Sequence, residues 1–398
     1  MRKYLAIFCG VSLLSVGSVA ALNYVVDPYM IHQWDTPEVQ RLRPPREKLS
    51  AWGKTYAVAR YRPAVLYLGN SRTELALPAP HPAFGGAPSF NAALSGASLG
   101  DMVAMARHAM ALGPVDTVVW GIDAPSFSLV LGTLDFDREL VASGGDYLPR
   151  RALLDVKRAL TLDMTLDSVS LLRGSFGSVC RSNLAFNGQR DESCIVDHMQ
   201  GWGGTAAAVR PRLAEFVRGE GPTAAALSSF DAALGALCSS GTRIRAYINP
   251  THASMHVALH AAGKWQALER WQQRLAGIAA RRRAAGCDLR LYDFSGFNSI
   301  TAEPLPQASG AREMRYYWEP SHYRANVGRM LIQAMFGGDP QAQVPAGFGV
   351  ELTPESIAIH QLAQRAARDS YIANNPVEAA IARSVAREES AKAARLKR

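Results

Sequence analysis

Between Tyr4 and Val26 the chain is apolar, broken only by small residues, serines and Asn23. That is about 23 residues, where about 20 suffice to cross a bilayer as a helix. The pattern then changes to short apolar runs separated by longer amphipathic stretches. Ala64–Leu68, Thr117–Trp120, Ile244–Ile248 and Leu289–Tyr292 predict strands, the first three closing on Gly69, Gly121 and Asn249-Pro250. Asp101–Leu112 predicts a helix stopped by Gly113-Pro114, and 204–239 is rich in Ala and Leu and largely helical in pattern. Lys264–Ala285 predicts a long helix, with Trp265, Leu268, Trp271, Leu275 and Ile278 as its buried stripe and Gly286 as its C-cap. From Thr353, a candidate N-cap with Pro354 at the first helical position, helices are expected to the end.

Short apolar strands alternating with helices predict an α/β fold, a parallel sheet with helices on both faces in a three-layer α/β/α arrangement. Residues 27–62, rich in Pro and Arg, read as a connector; 63–345 form the α/β domain; 124–203 form a mostly helical insertion able to roof the site; 346–398 form a helical tail. Ligands of such sheets bind beyond the carboxyl ends of the strands, so the residues directly after each strand are the functional candidates.

Composition narrows the class. With 398 residues, 48% of them hydrophobic and 19% charged, the chain is neither disordered, collagen-like nor a small disulfide-stapled module. A mean hydropathy of −0.05 excludes a multi-span membrane protein. Of the net charge of +9, much sits in 379–398, where six cations face two carboxylates and no aromatic is interleaved. That is a solvated or packing tail rather than a nucleic-acid reader, and no nucleic-acid partner is expected.

Arg2 and Lys3 ahead of the apolar segment direct the rest of the chain out of the cytoplasm. Ser18-Val19-Ala20 resembles a signal-peptide cleavage site, but the apolar stretch continues past it, which argues for an uncleaved single-pass anchor in a bacterial inner membrane through residues 4–26, with the main domain in the periplasm. In that oxidising space Cys180, Cys194, Cys238 and Cys287 are disulfide candidates. Cys180 and Cys194 bracket a polar loop, and Cys238 and Cys287 each precede a predicted strand. Free buried thiols are the alternative. No CxxC or Cys/His cluster points to a metal, and none is expected. His252, His256 and His260 share a helix face at i, i+4, i+8 spacing, but no acidic or Cys ligand accompanies them.

Two constellations stand just past strands. Gly69-Asn70-Ser71-Arg72 places a serine in a turn after the first strand. Near the end of the domain stands Trp318-Glu319-Pro320-Ser321-His322, where Glu319 can orient the His322 imidazole and leave Nε2 as a base. Here the sequence resembles the SGNH/GDSL hydrolases. Gly69-Asn70-Ser71 is similar to the family's GDS block, Asn91–Gly96 to its second block, Trp120–Asp123 to its third, and Glu319–His322 to its closing DxxH, in the family's order and over roughly 60–340. "LNYVVDPY" after the anchor and "INPTHA" at 248–253 resemble the membrane-anchored, extracytoplasmic branch linked to polysaccharide modification.

The resemblance implies Ser71 as nucleophile, His322 as base, Glu319 as its orienting acid, and an oxyanion hole from the N–H groups of Ser71 and Gly96. Asp123 stands where the family's oxyanion-hole Asn would be; an ionised carboxylate there cannot donate and must be protonated or turned away. Arg72, Asn249 and His252 are the expected substrate contacts, with a salt bridge to an acid as the structural role of Arg72. No cofactor is expected. The partners are an acylated cell-envelope or exported polysaccharide, the inner membrane, and a membrane acyl-donor protein if the reaction is transfer. Two functions stay open: a serine esterase or O-acyltransferase working through an acyl-serine, and a catalytically degenerate fold that binds glycan or assembles a polysaccharide export system.

Overall fold

The computed structural model describes residues 1–29, 31–32, 51–128, 141–142, 147–174, 187–190, 192–219, 221–306 and 313–396. Helix α1 (Arg2–Val26) projects from the rest. Nearly every side chain before Val19 is exposed, and the only buried ones are Asn23 and Val26. It ends at Asp27, whose carboxylate accepts from the N–H groups of Ile31 and His32 at 2.7 and 2.9 Å.

Helix α2 (Ala51–Tyr61) leads into β1 (Val65–Leu68), which passes through Gly69-Asn70 to α3 (Ser71–Ala76). Next are β2 (Ser89–Asn91), α4 (Leu99–Leu112) and β3 (Thr117–Ile122). The insertion carries α5 (Tyr147–Ala159), α6 (Leu162–Leu172) and α7 (Glu192–Gly201), and is succeeded by α8 (Thr205–Arg218) and α9 (Ala224–Ser239). Then come β4 (Arg243–Ile248), α10 (Ala253–Ala261), α11 (Trp265–Ala284) and β5 (Leu289–Asp293). A hairpin of β6 (Tyr317–Glu319) and β7 (His322–Tyr323) precedes α12 (Ala325–Phe336), β8 (Val350–Glu351), α13 (Ile357–Asn374) and α14 (Pro376–Leu396).

The main sheet has the order β2-β1-β3-β4-β5-β8, parallel from β2 to β5 and closed by antiparallel β8. Its four central strands are the four predicted apolar runs, almost wholly buried as a parallel sheet demands. β2 and β8 are three and two residues long, too short to leave an alternation in the sequence. Trp120, Phe127, Phe230 and Trp271 meet edge to face with centroids 5.0–5.3 Å apart, joining β3, α9 and α11 in the core.

The long helix buries its stripe of Trp265, Leu268, Trp271, Leu275 and Ile278. Cys238, at the end of α9, is disulfide-bonded to Cys287, just before β5; β4 and β5 are adjacent, so both thiols lie on the amino-terminal rim of the sheet. Cys180 and the Cys194 side chain lie outside the described residues.

Two expectations change and one is narrowed. The C-terminal helices start at Ile357 rather than at Thr353, which instead closes a turn by accepting from the N–H of Ser356. Of the solvated and packing readings of the tail, packing holds for its second helix: α14 packs on α10 and α8, burying Ala379, Ala382, Val385 and Ala386. Among the described residues the insertion reaches the site through α7, whose Ile195 and Met199 pack with Leu75 and Trp318, and through 187–190, where the Arg190 N–H donates to the Glu74 carbonyl; α5 and α6 pack against the end of α1.

Candidate active site

Three strand ends and one hairpin converge at the carboxyl edge of the sheet. β1 delivers Ser71 as the first residue of α3, with Asn70 as N-cap accepting from the N–H of Arg72 at 3.1 Å. A helix this close to the sheet needs glycine beneath it: a Cβ at Gly121 would sit 2.1 Å from Thr73 Oγ1 and 2.6 Å from the Tyr247 hydroxyl. On its other side α3 meets α12, where a Cβ at Gly328 would lie 1.9 Å from the Ala76 carbonyl oxygen.

The histidine arrives on a hairpin rather than on a strand end of the main sheet. Glu319 and His322 are facing partners across the β6–β7 hairpin, with Pro320-Ser321 as its turn. Glu319 is fully buried; its Oε1 pairs with His322 Nδ1, and its Oε2 accepts from the N–H of Ser321 at 2.7 Å. On the far side His322 Nε2 lies 2.8 Å from Ser71 Oγ. Burial alone would raise the Glu319 carboxyl, but the His322 imidazole, the Arg212 guanidinium and the Ser321 N–H outweigh it and hold the group below the usual carboxylate range. Arg212 comes from α8, lies 3.1 Å from Glu319 Oε1 and stacks on the Trp202 ring.

Arg72 departs from the role of substrate contact. Its Nη1 pairs with Asp123 Oδ2 at 2.7 Å, its Nη2 donates to Ser321 Oγ at 2.7 Å, and its Nε donates to the Ser321 carbonyl at 3.1 Å. One side chain thus ties α3, the end of β3 and the turn before His322 together. Asp123 is correspondingly no oxyanion donor. Its Oδ2 also accepts from Asn70 Nδ2 at 2.6 Å, and its Oδ1 caps the next turn by accepting from the N–H of Ser126.

Asn249 and His252 are not on the open side of the site either. Asn249 is buried, donating to the Ile122 carbonyl and accepting from the Tyr323 hydroxyl at 2.9 Å. With the Thr73–Tyr247 and Tyr247–Tyr323 contacts, at 2.9 and 3.3 Å, it forms a floor of side-chain hydrogen bonds beneath Ser71 and His322. His252 is the buried N-cap of α10, with Nδ1 on Ser254 and Nε2 2.5 Å from the Glu303 carbonyl. Burial pushes it down to about 4, so it is neutral. His256 meets Thr251 Oγ1 at 3.1 Å, and among the described residues no group of three or more His, Cys, Asp or Glu is placed to hold a metal ion.

The Gly96 loop is held by a network that no motif in the sequence marks. Buried Glu74 pairs with buried Lys54 at 2.8 Å and accepts from Ser95 Oγ at 2.5 Å, while Lys54 Nζ also donates to the Ala93 carbonyl. Burial alone would raise the Glu74 carboxyl, yet Lys54, Arg190 and the Ser95 hydroxyl bring it down to about 2. Leu94 donates to the Gly69 carbonyl at 3.0 Å, so the loop runs beside the Ser71 turn, and Gly96 itself is exposed at φ 71°. The only sign of this network in the sequence is a Lys and a Glu inside otherwise apolar stretches.

The arrangement can therefore polarise a serine hydroxyl and hold the resulting imidazolium against a buried carboxylate. A scan against protein-family models finds no match for this chain, and a search of curated proteins finds none either.

Proposed function

We propose that this protein is an SGNH-like serine esterase or O-acyltransferase with the family's three-layer fold, anchored in the inner membrane by α1 and acting outside the cytoplasm on an acylated polysaccharide. One observation carries the reading: Ser71, His322 and Glu319 form a single hydrogen-bonded relay although 251 residues separate serine from histidine. Ser71 Oγ attacks the acyl carbonyl while His322 Nε2 takes its proton. The tetrahedral intermediate then collapses with loss of the sugar alkoxide, which receives that proton, leaving an acyl-serine. Water or a second hydroxyl resolves the acyl-serine by the same steps in reverse.

The oxyanion falls to the N–H of Ser71, which opens a helix and needs no intrahelical partner, and to the exposed Gly96 loop. Pairing of Asp123 with Arg72 offsets the charge that would oppose this, and so weakens the reading of a degenerate, glycan-binding fold. The Cys238–Cys287 bond and the apolar α1 support the location.

The test is labelling of the full-length, detergent-solubilised protein with a fluorophosphonate probe. Labelling lost in both Ser71→Ala and His322→Ala is the expected result. A folded protein that never labels refutes the serine mechanism and returns the degenerate fold.

A further inference from the structure

Beyond Met1 and α1, ten large apolar side chains are exposed among the described residues, and six of them lie in α5 and α6 and the turn between them: Leu153, Val156, Leu160, Leu162, Leu166 and Leu172. Leu153, Val156 and Leu160 recur at i, i+3 and i+7, and Leu162 and Leu166 at i, i+4, so each helix carries an exposed apolar row, and the rows converge on the turn at Leu160-Thr161. Leu162, beside the turn, is 71% exposed. The opposite face of α6 is committed: Met164, Ser168 and Leu171 are buried, and Tyr29 donates to Asp167.

That turn has a fixed height along α1. Asn23 Nδ2 donates to the Ala159 carbonyl and to Thr165 Oγ1, both at 2.9 Å, and Ser168 Oγ donates to Asn23 Oδ1 at 2.9 Å. Tyr4 and Tyr24 are exposed near the two ends of α1, and at 1.5 Å per residue they stand about 30 Å apart, the thickness of a hydrocarbon core with an aromatic at each boundary. The clasp on Asn23 therefore sits at the outer boundary. Charge agrees: of the five cations and three carboxylates in 147–174, Arg150, Arg151 and Arg158 bond within the protein, as do Asp155 and Asp167, and Lys157 and Arg173 are exposed against the single exposed carboxylate of Asp163.

We infer that the α5–α6 hairpin lies in the outer interface of the bilayer that α1 crosses, its leucine rows in the acyl boundary and its cations among anionic headgroups. This rests on the anchor reading of α1. It would give the domain a second attachment beside the anchor and hold its body at a set orientation over the membrane.

The experiment places the photo-crosslinker p-benzoylphenylalanine at Val11, at Leu162 or at Leu362, an exposed residue of α13, in the full chain reconstituted into phosphatidylethanolamine–phosphatidylglycerol vesicles. Mass spectrometry then reads lipid adducts. Adducts at 11 and 162 and none at 362 are expected. An adduct at 11 without one at 162 overturns the inference and leaves the anchor standing. No adduct at 11 removes the anchor and the inference with it. Protein–protein adducts at 162 assign the surface to a second copy, and adducts at all three positions mean that position 162 has no special contact; either result overturns it.

Discussion

Arg72 shows how a residue's neighbours decide its role. Next to a candidate nucleophile, an arginine reads as a contact for substrate or oxyanion, yet its guanidinium spends three donors on Asp123 and Ser321. Both members of the Arg72–Asp123 pair are largely shielded, with 12% and 5% of the side chain exposed. Removing only the cation leaves a buried carboxylate, at a cost of about 3 kcal/mol or somewhat more. Arg72→Met should therefore lower the denaturation midpoint and slow the reaction, by about 100-fold if the histidine turn shifts by an ångström. Arg72→Met/Asp123→Asn should recover most of the stability, because no charge is then stranded. Paired urea melts check this, and a double variant no more stable than the single one would contradict it. The grouping of Ser71, Glu319 and His322 is legible because residue type and local spacing mark it. Asn249 and His252 were misplaced because a polar residue after a strand looks the same whether it faces the cleft or props up the backbone beneath it.

The elements are most legible where a long pattern of burial is one-sided in a helix or complete in a strand. The stripe of α11 and the continuous apolar runs of β3 and β4 leave patterns that few other structures share. β2 left none, since three residues define no period, although its end opens the loop that carries Gly96. The β6–β7 hairpin was equally hidden: a carboxylate three residues before a histidine suits a helical turn as well as a hairpin, and long-range pairing decides. The packing of α12 on α3 rests on Gly328, where an added methyl meets backbone rather than a flexible side chain. Gly328→Ala should cost about 1–3 kcal/mol as an overpacking substitution. Because the strain falls on the helix that begins with Ser71, it should slow probe labelling even at temperatures where the protein stays folded. Thermal melts and labelling rates on the same sample test the pairing of the two effects.

At the scale of the whole molecule, buried carboxylates set the acid limit. Glu74, Glu319 and Asp293 are each pushed up by burial and pulled further down by their partners, so all three titrate below their unfolded values. A group depressed in the folded state stabilises above its unfolded pKa, near 4 for these residues, and loses that contribution as pH falls through the folded value. The melting temperature should therefore drop between about pH 4 and pH 2, the latter being where Glu74 takes up its proton. Calorimetry across that window would show it, and a flat profile would mean that these ion pairs contribute little. His360 acts on the other limb: burial lowers it, but Asp293 outweighs that and raises it, so its contribution is complete below the ordinary histidine range and is lost as pH rises through the folded value.

The contact of α14 with α8 also bears on how the chain is made. Arg210 and Arg218 of α8 pair with Glu388 and Glu389 of α14, and α8 is the helix that brings Arg212 to Glu319. Synthesis runs from the amino terminus, so α8 emerges some 160 residues before its cover. Until α14 arrives the outer side of α8 has no partner from it, and the carboxylate behind His322 is braced by a helix not yet fully seated. A nascent chain should then bring Ser71, His322 and Glu319 together late, as one of the last events of its own maturation.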